Sequence, residues 1–571
     1  MGERLSLYAL VVREGFRRLV AGLRKAAIGV WPMPVRAPER LLVAPQDLRT
    51  SDPTVAGDIY AGYFVFAGRL VEAKGRSPFT IVPPSVAWAE ALMGFSWLRH
   101  LRAADSAIAR ANGRAMVDDF LRHEGDRRGI GAEPRIVARR LISFLSQAPL
   151  VLEGADRAFY LRFMRALGRS VTQLRRAILA RSAEEDRLLV AIALAYAGLC
   201  LHDPQRLQAR VNALLSDALA AHILADGGHI SRNPRRLTEL LSELLPLRQT
   251  YAARGIEPPI ALLTAIDRMM PMLRLFRHGD GELALFNGMG VSAPDLLATL
   301  LAYDDARAQP LEHAPTSGYE RLTASGTLML VDVGKPPPRP FSRETHAGCL
   351  SFELSAARCH LVVNCGAAAA ERPTAQLAAR STAAHSTLVV NDASSCHFAG
   401  EGTGDALGER LGRWLGPVVL SGPTRVEAHR GVDEAGQTLV ASHDGYLRRF
   451  GIVHERRLVL ADNGERLDGA DRLLATTSRP LSFALRFHLH PSVRASRSQD
   501  GRKIMLLLPD GEAWSFEAPG YNPDLDESVY FAAAEGPRRT EQIVVAVERE
   551  PVDEIIWRFA RLGRHQPRQR A

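Results

Sequence analysis

Between about residues 84 and 307, apolar side chains recur every three or four positions in eight successive stretches, at 86–101, 103–124, 135–146, 155–180, 183–201, 204–224, 235–254 and 259–276. Leu188, Val190, Ala191, Leu194 and Ala195 show the pattern, which turns one side of a 3.6-residue helix toward a core. The links between stretches are short, so neighbouring helices run antiparallel. A long series of such pairs closes into a bundle or an α/α toroid. No 33- or 34-residue signature repeats, so a TPR or ankyrin array is not expected.

Near residue 315 the period falls from 3.6 to 2. TLMLVDVG, CLSFELS, CHLVVNCG, HSTLVVND, FALRFHLHP and EQIVVAVE are short runs rich in β-branched residues and bounded by Gly, Pro, Asn or Asp. Their hairpin spacing predicts a large antiparallel β-sandwich. The segment 334–340, with three consecutive prolines, is a stiff connection. The expected fold class is therefore α+β multidomain. Residues 1–83 form a basic amphipathic helix and lead-in, 84–310 an incomplete barrel of antiparallel helix pairs, and 311–571 the sandwich.

In the N-terminal stretch 5–31, Arg13, Arg17, Arg18, Arg24 and Lys25 interrupt every apolar run. That pattern fits neither a signal-peptide core nor a membrane span, which needs about 18 apolar residues. It predicts an amphipathic helix that either docks on the domain or meets an anionic membrane surface or a partner. A cytoplasmic or membrane-peripheral location follows.

Composition adds limits. At 46% hydrophobic and 24% charged over 571 residues, the chain reads as ordinary globular protein, which excludes long disorder. The net charge of +9 is carried by arginine, the only lysines being Lys25, Lys74, Lys335 and Lys503. No nucleic-acid module stands beside it, and the arginine bias fits the base composition of the genome as readily as selection for phosphate, while a basic surface still suits an acidic polymer. Five cysteines with no CxxC pair specify neither a zinc ribbon nor a disulfide framework, and read as buried thiols.

Two clusters carry candidate chemistry. In 226–234, DGGHISRNP, His229 and Arg232 project from a tight turn and suit the binding of a carboxylate, Arg as a planar fork and His as a tunable donor. The same residues also fit an ordinary helix–helix turn with Asn233 as N-cap. In 343–390, His346 and His385 stand at strand edges among small residues. They suit a metal or substrate, or serve as structural histidines.

The stretch THAGCLSFEL…LVVNCG…RSTAAHSTLVVND, with SHDGY, VHERR and RFHLHP downstream and DGGHISRNP upstream, resembles the heparinase II/III family of polysaccharide lyases. The resemblance runs from about residue 84 to the C-terminus. It implies a lyase that cleaves an acidic, uronate-containing polysaccharide by β-elimination, with His229, Arg232, Tyr251 and His385 catalytic. Arg232 and His229 would neutralise the uronate carboxylate so that the C5 proton can leave, and Tyr251 would exchange protons at the scissile bond. Asn233, His278, Glu344 and Arg380 would contact substrate. Family members show His-x-His-Ala-Asp where this chain has Glu344-Thr-His346-Ala-Gly348, so Glu344 replaces a histidine that is often catalytic. The family's zinc ligands map to His346, Asn364 and His385, and an amide at Asn364 is a poor donor to zinc. No cofactor is required, and a structural zinc is disfavoured. Loss of these groups also leaves open a weakened glycan-binding or cell-envelope assembly protein, and family habit points to the periplasm as the alternative location.

Overall fold

A computed structural model of the chain describes residues 2–30, 36–123, 129–180, 184–202, 207–304, 308–369, 372–399, 406–475, 482–548 and 554–564. The expected element ends at 31, 124, 183 and 204 lie outside these residues.

Helices fill the first half, from Val86–Gly94 to Pro294–Ala302. Arg187–Cys200 stands at the centre of the helical layer. Helices Pro134–Ser146, Leu207–His222 and Pro234–Ala253 all pack on it, and almost every one of its residues is buried. Its apolar character on all sides is what such a position demands. The expected helix at 86–101 is broken in two. Phe95 takes a left-handed φ of 57° and caps Val86–Gly94, which drives its ring between Phe120 and Phe144 at centroid distances of 4.8 and 4.9 Å. Edge-on aromatic packing of this kind offsets the backbone cost.

Among the described residues, the second half is built on two large antiparallel sheets, of eight and nine strands, beside a small two-stranded one. Strand Thr327–Asp332 shows how the layers stack. It is buried at every position, with Leu328 and Leu330 facing the helical core, and Met329 and Val331 facing the core between the sheets. At this strand the nine-stranded sheet is covered on both faces, which explains a continuous apolar run where an exposed strand would alternate. Between the sheets, Phe352 stacks on Trp557 at 5.6 Å. Gly469 lies opposite Trp557 in the register, and a Cβ there would fall 2.1 Å from the indole.

Two buried ionic clusters tie the layers together. Asp471 accepts from Arg456, His454 and the Trp557 indole N–H, while Arg456 also donates to the carbonyls of Leu350 and Ser386. His454 and Arg456 of VHERR are therefore structural. At the helix–sheet boundary, Arg232 pairs with Asp332 and donates to the carbonyls of Ser317, Gly318 and Lys335. Both members are more than nine-tenths buried. Replacing Asp332 by Asn leaves a buried guanidinium without its counter-charge, and is expected to cost about 3–5 kcal/mol of unfolding free energy. Urea denaturation checks this, and a loss below about 1 kcal/mol would show that the three carbonyls suffice.

Candidate functional site

A cleft of about 1120 Å³ opens between the helical layer and the segment that leads into the sandwich. His229, Ser231, Arg235 and Arg236 form one wall, Pro340, Phe341, Arg343 and Glu344 the opposite one. The N-terminal helix Gly2–Val30 closes one end with Glu14, Arg17, Arg18 and Ala21.

His229 is held by its own loop. Its Nδ1 accepts from the Ser231 N–H at 3.2 Å and meets Ser231 Oγ at 2.7 Å. An acceptor at Nδ1 places the ring proton on Nε2, so His229 offers the cleft a neutral N–H donor. Burial, reinforced by the Arg236 charge, pushes its pKa well below the ordinary histidine value and keeps it neutral.

Asn233 caps helix Pro234–Ala253 through the Arg235 N–H at 3.0 Å, and proline at the first helical position completes the start. That cap places Arg235 and Arg236 on the cleft wall. Both reach Glu344, at 3.3 and 3.1 Å, and Asn233 Nδ2 donates to its other oxygen at 2.9 Å. Glu344 thus sits where two guanidinia and an amide would receive an anionic ligand. Burial pulls its pKa upward, but Arg236 and Arg235 outweigh that and hold it below the usual value. Glu239 behaves alike, drawn down to about 2 by Arg236, Arg139 and Arg235 against its burial. Asp186 and Glu185, which also line the cleft, go the other way: burial raises Asp186 to about 6 and pushes Glu185 upward as well.

The other expected site residues are not brought together here. Tyr251 lies in the helical core, its hydroxyl donating to Asn212 Oδ1 at 2.6 Å and accepting from Gln208 at 3.2 Å, with burial raising its pKa to about 12. The helix that carries it turns this position inward, away from the cleft. Arg232 is spent on Asp332 and backbone carbonyls and is no free neutraliser. Arg380 is buried, donates to the carbonyls of Ser342 and Thr345, and lies over the Phe398 ring, so it shapes the 342–345 segment from behind. His278 is buried against Glu353 and Ser355 at a separate helix–sheet contact. His385 is 1% exposed, and burial lowers its pKa to about 4.

His346 Nδ1 and His385 Nε2 face each other at 3.1 Å, but Asn364 does not complete a ligand set with them. Its Oδ1 accepts from the Ser386 N–H and its Nδ2 donates to Glu353. The donors present do not fit the zinc that the resemblance implies. Arg49, Arg139, Arg343 and Asp186 line the cleft without having been singled out. The consecutive Arg235-Arg236 after DGGHISRNP was the one local signal for the arginine wall.

The family model for the heparinase II/III-like C-terminal domain matches residues 306–558. FtsZ-localized protein C of Caulobacter vibrioides (strain NA1000 / CB15N) is 32% identical over 539 residues, 92% of this chain and 91% of that protein. The chain belongs to the heparinase II/III-like family. Among solved structures, this heparinase II/III-like protein is similar to heparinase III, with a TM-score of 0.69 at 12% identity over 94% of this chain and 88% of that one. A mutant of the heparan sulfate lyase HepC from Pedobacter heparinus gives 0.61 at 12% identity, over 96% and 89%. These likenesses establish the lyase fold, and the chemistry rests on the cleft itself.

Asp186 and Glu344 set an expectation for anion binding by this heparinase II/III-like protein. Asp186 is largely ionised at pH 7.5 and largely protonated at pH 5, so one repelling charge leaves the cleft as pH falls through about 6. Affinity for a polyanionic oligosaccharide probe is expected to rise about fivefold over that range, the effect of one partly screened charge. Calorimetric titration of wild type and Asp186→Asn checks it: the variant should bind more tightly at pH 7.5 and lose most of the pH dependence, the remainder belonging to Glu185, which burial also raises. Glu344→Gln, which leaves the arginine pair only Glu239 as a counter-charge, should tighten binding by a similar factor at pH 7.5, and weaker binding would show that Glu344 itself holds the ligand.

Proposed function

We propose that this protein holds an acidic, uronate-containing polysaccharide in the cleft, as a lyase-fold glycan-binding protein without working elimination chemistry. One contrast carries the reading. The cleft retains the groups that recognise a carboxylate, the His229 Nε2–H and the Arg235/Arg236 pair, while the phenol expected to exchange protons is sealed in the helical core. No tyrosine lines the cleft among the described residues. β-Elimination needs a base at C5 and an acid at the C4 oxygen together with carboxylate neutralisation, and here Glu239 and Glu344 are tied to arginines with no phenol beside them among the described residues. Glu344, in the place of a family histidine, further spends the arginine pair on an internal anion.

Incubation of the purified full chain with heparan-type, chondroitin-type and alginate-type polymers, at pH 5 to 9, tests this. Saturable binding without growth of the ultraviolet absorbance of an unsaturated uronate is expected. A steady rise on any polymer, abolished by His229→Ala, would establish the lyase reading instead.

The location proposed is the membrane surface. No helix among the described residues is long and apolar enough to cross a bilayer. Tyr8, Val12, Phe16, Leu19 and Leu23 form one apolar stripe along the N-terminal helix and are 40–72% exposed, while Leu7 packs inward with Leu415 and Leu420. Arg13 and Arg24 are exposed beside the stripe, which suits an anionic leaflet. The Caulobacter relative is named for localising with FtsZ, and we propose the same address for this chain. Phe16→Glu with Leu19→Glu should remove at least nine-tenths of the protein co-sedimenting with phosphatidylglycerol vesicles and delocalise a fluorescent fusion from FtsZ. Unchanged sedimentation would refute the helix as the anchor.

A further inference from the structure

Apart from the cleft, a second group of ionisable side chains is packed where the loop after helix Ile260–Leu275 meets the nine-stranded sheet. His278 comes from the loop, Glu353 and His360 from adjacent strands Phe352–Ala356 and Cys359–Val363. None of the three lines the cleft. Each offers one ligand atom, and these lie within 4.8 Å of one another. His278 Nε2 and Glu353 Oε2 are 3.1 Å apart, close to the roughly 3.3 Å that separates two ligands of a tetrahedral ion held at about 2 Å.

Each of these side chains is held from behind. Glu353 Oε1 accepts from the N–H groups of Leu285 and Asn364 and from the Asn364 amide, at 3.1, 3.0 and 3.2 Å, which leaves Oε2 for the cluster. His278 Nδ1 lies 2.9 Å from Ser355 Oγ, a partner that can accept its N–H and free the Nε2 lone pair. His360 Nε2 lies 2.8 Å from Asp280 Oδ2, so the carboxylate fixes the proton there. The remaining lone pair, on Nδ1, has no hydrogen-bond partner although the residue is only 5% exposed, and its ring centre is 4.3 Å from that of His278. A buried nitrogen without a partner is costly, and carboxylate–histidine pairs of this form are the usual support of metal ligands.

We propose that His278, Glu353 and His360 bind a divalent first-row cation, zinc(II) by the hardness of two imidazoles and a carboxylate. The ion pins the end of the helical layer to the sheet, with Asp280 orienting His360. The fourth position is left to water.

Titration of the full chain, stripped with EDTA and dialysed, with zinc(II) and then cobalt(II) tests the site. One equivalent of zinc should bind and raise the melting temperature. Cobalt should give the visible absorption of a tetrahedral N/O site without a thiolate charge-transfer band. His360→Leu should abolish the equivalent, and Asp280→Asn, on the loop and safer for folding, should weaken it about 10- to 100-fold. His346→Leu, at the other histidine pair, should leave it intact. Failure of wild type to bind at tens of micromolar, a thiolate band, retention in His360→Leu, an unmoved affinity in Asp280→Asn, or loss in His346→Leu would each overturn the assignment.

Discussion

The Arg232–Asp332 pair is the constraint from which the site follows. A guanidinium buried at a domain junction must have its N–H groups partnered, and here Asp332 and the carbonyls of Ser317, Gly318 and Lys335 partner them. Meeting those acceptors sets Arg232 at φ 61°, a left-handed conformation that a non-glycine residue holds only when its surroundings insist. Asn287 bridges Asp332 Oδ2 and the Tyr319 hydroxyl, which in turn donates to the Arg232 carbonyl, so backbone and side chain are locked together. Gly334 permits the approach, since a Cβ there would stand 2.2 Å from the guanidinium. With the loop fixed at Arg232, His229 and the start of helix Pro234–Ala253 have little freedom left. That wall is a consequence of one buried pair, while Arg380 holds the facing segment through the Ser342 and Thr345 carbonyls.

Within the cleft, charge is interleaved. Arg235 and Arg236 face Glu239 and Glu344, Arg343 faces Glu185, and Arg49 and Arg139 meet Glu243 below. A wall of unopposed arginines would bind any polyanion. One whose arginines are already half-neutralised responds to an anion only where it can displace or share a carboxylate, which favours ligands of matched spacing. The overall charge of +9 therefore acts mainly as long-range attraction, and local pairing decides what stays.

The architecture was legible where periodicity survived. The change from a 3.6 to a 2 residue period marked the two halves, because burial on one side of a helix and on alternate positions of a strand leaves different traces. Strand Val426–Asp433 escaped because it lies at a sheet edge with mostly exposed, polar positions, and Arg466–Ala475 because arginine and aspartate sit among its core residues. The site was less legible for a different reason. His229 announced itself through its own turn, a local signal. Whether Arg232 was free or spent depended on Asp332, one hundred residues away, and the partner of Asn233 stands at Glu344. Tyr251 occupies a helical position whose spacing is equally compatible with core and cleft, and only the packing of Asn212 and Gln208 decides between them.

The N-terminal helix joins location to site through geometry alone. Its residues on one side, Glu14, Arg17, Arg18 and Ala21, close the cleft, while Tyr8, Val12, Phe16, Leu19 and Leu23 form the opposite, exposed stripe. A helix has only two such sides, so a surface engaged by the stripe lies about one helix diameter, roughly 10 Å, from the cleft end. Glu14 is already paired with Arg17 and Arg18 at 2.8 and 2.9 Å, and Arg18 also lies over the Trp414 ring. Leu7 packs with Leu415 and Leu420 on the same side, so ring and apolar contacts hold that side of the helix to the domain. On this geometry, membrane attachment leaves the cleft end closed, and a polymer enters along the open walls rather than beneath the helix.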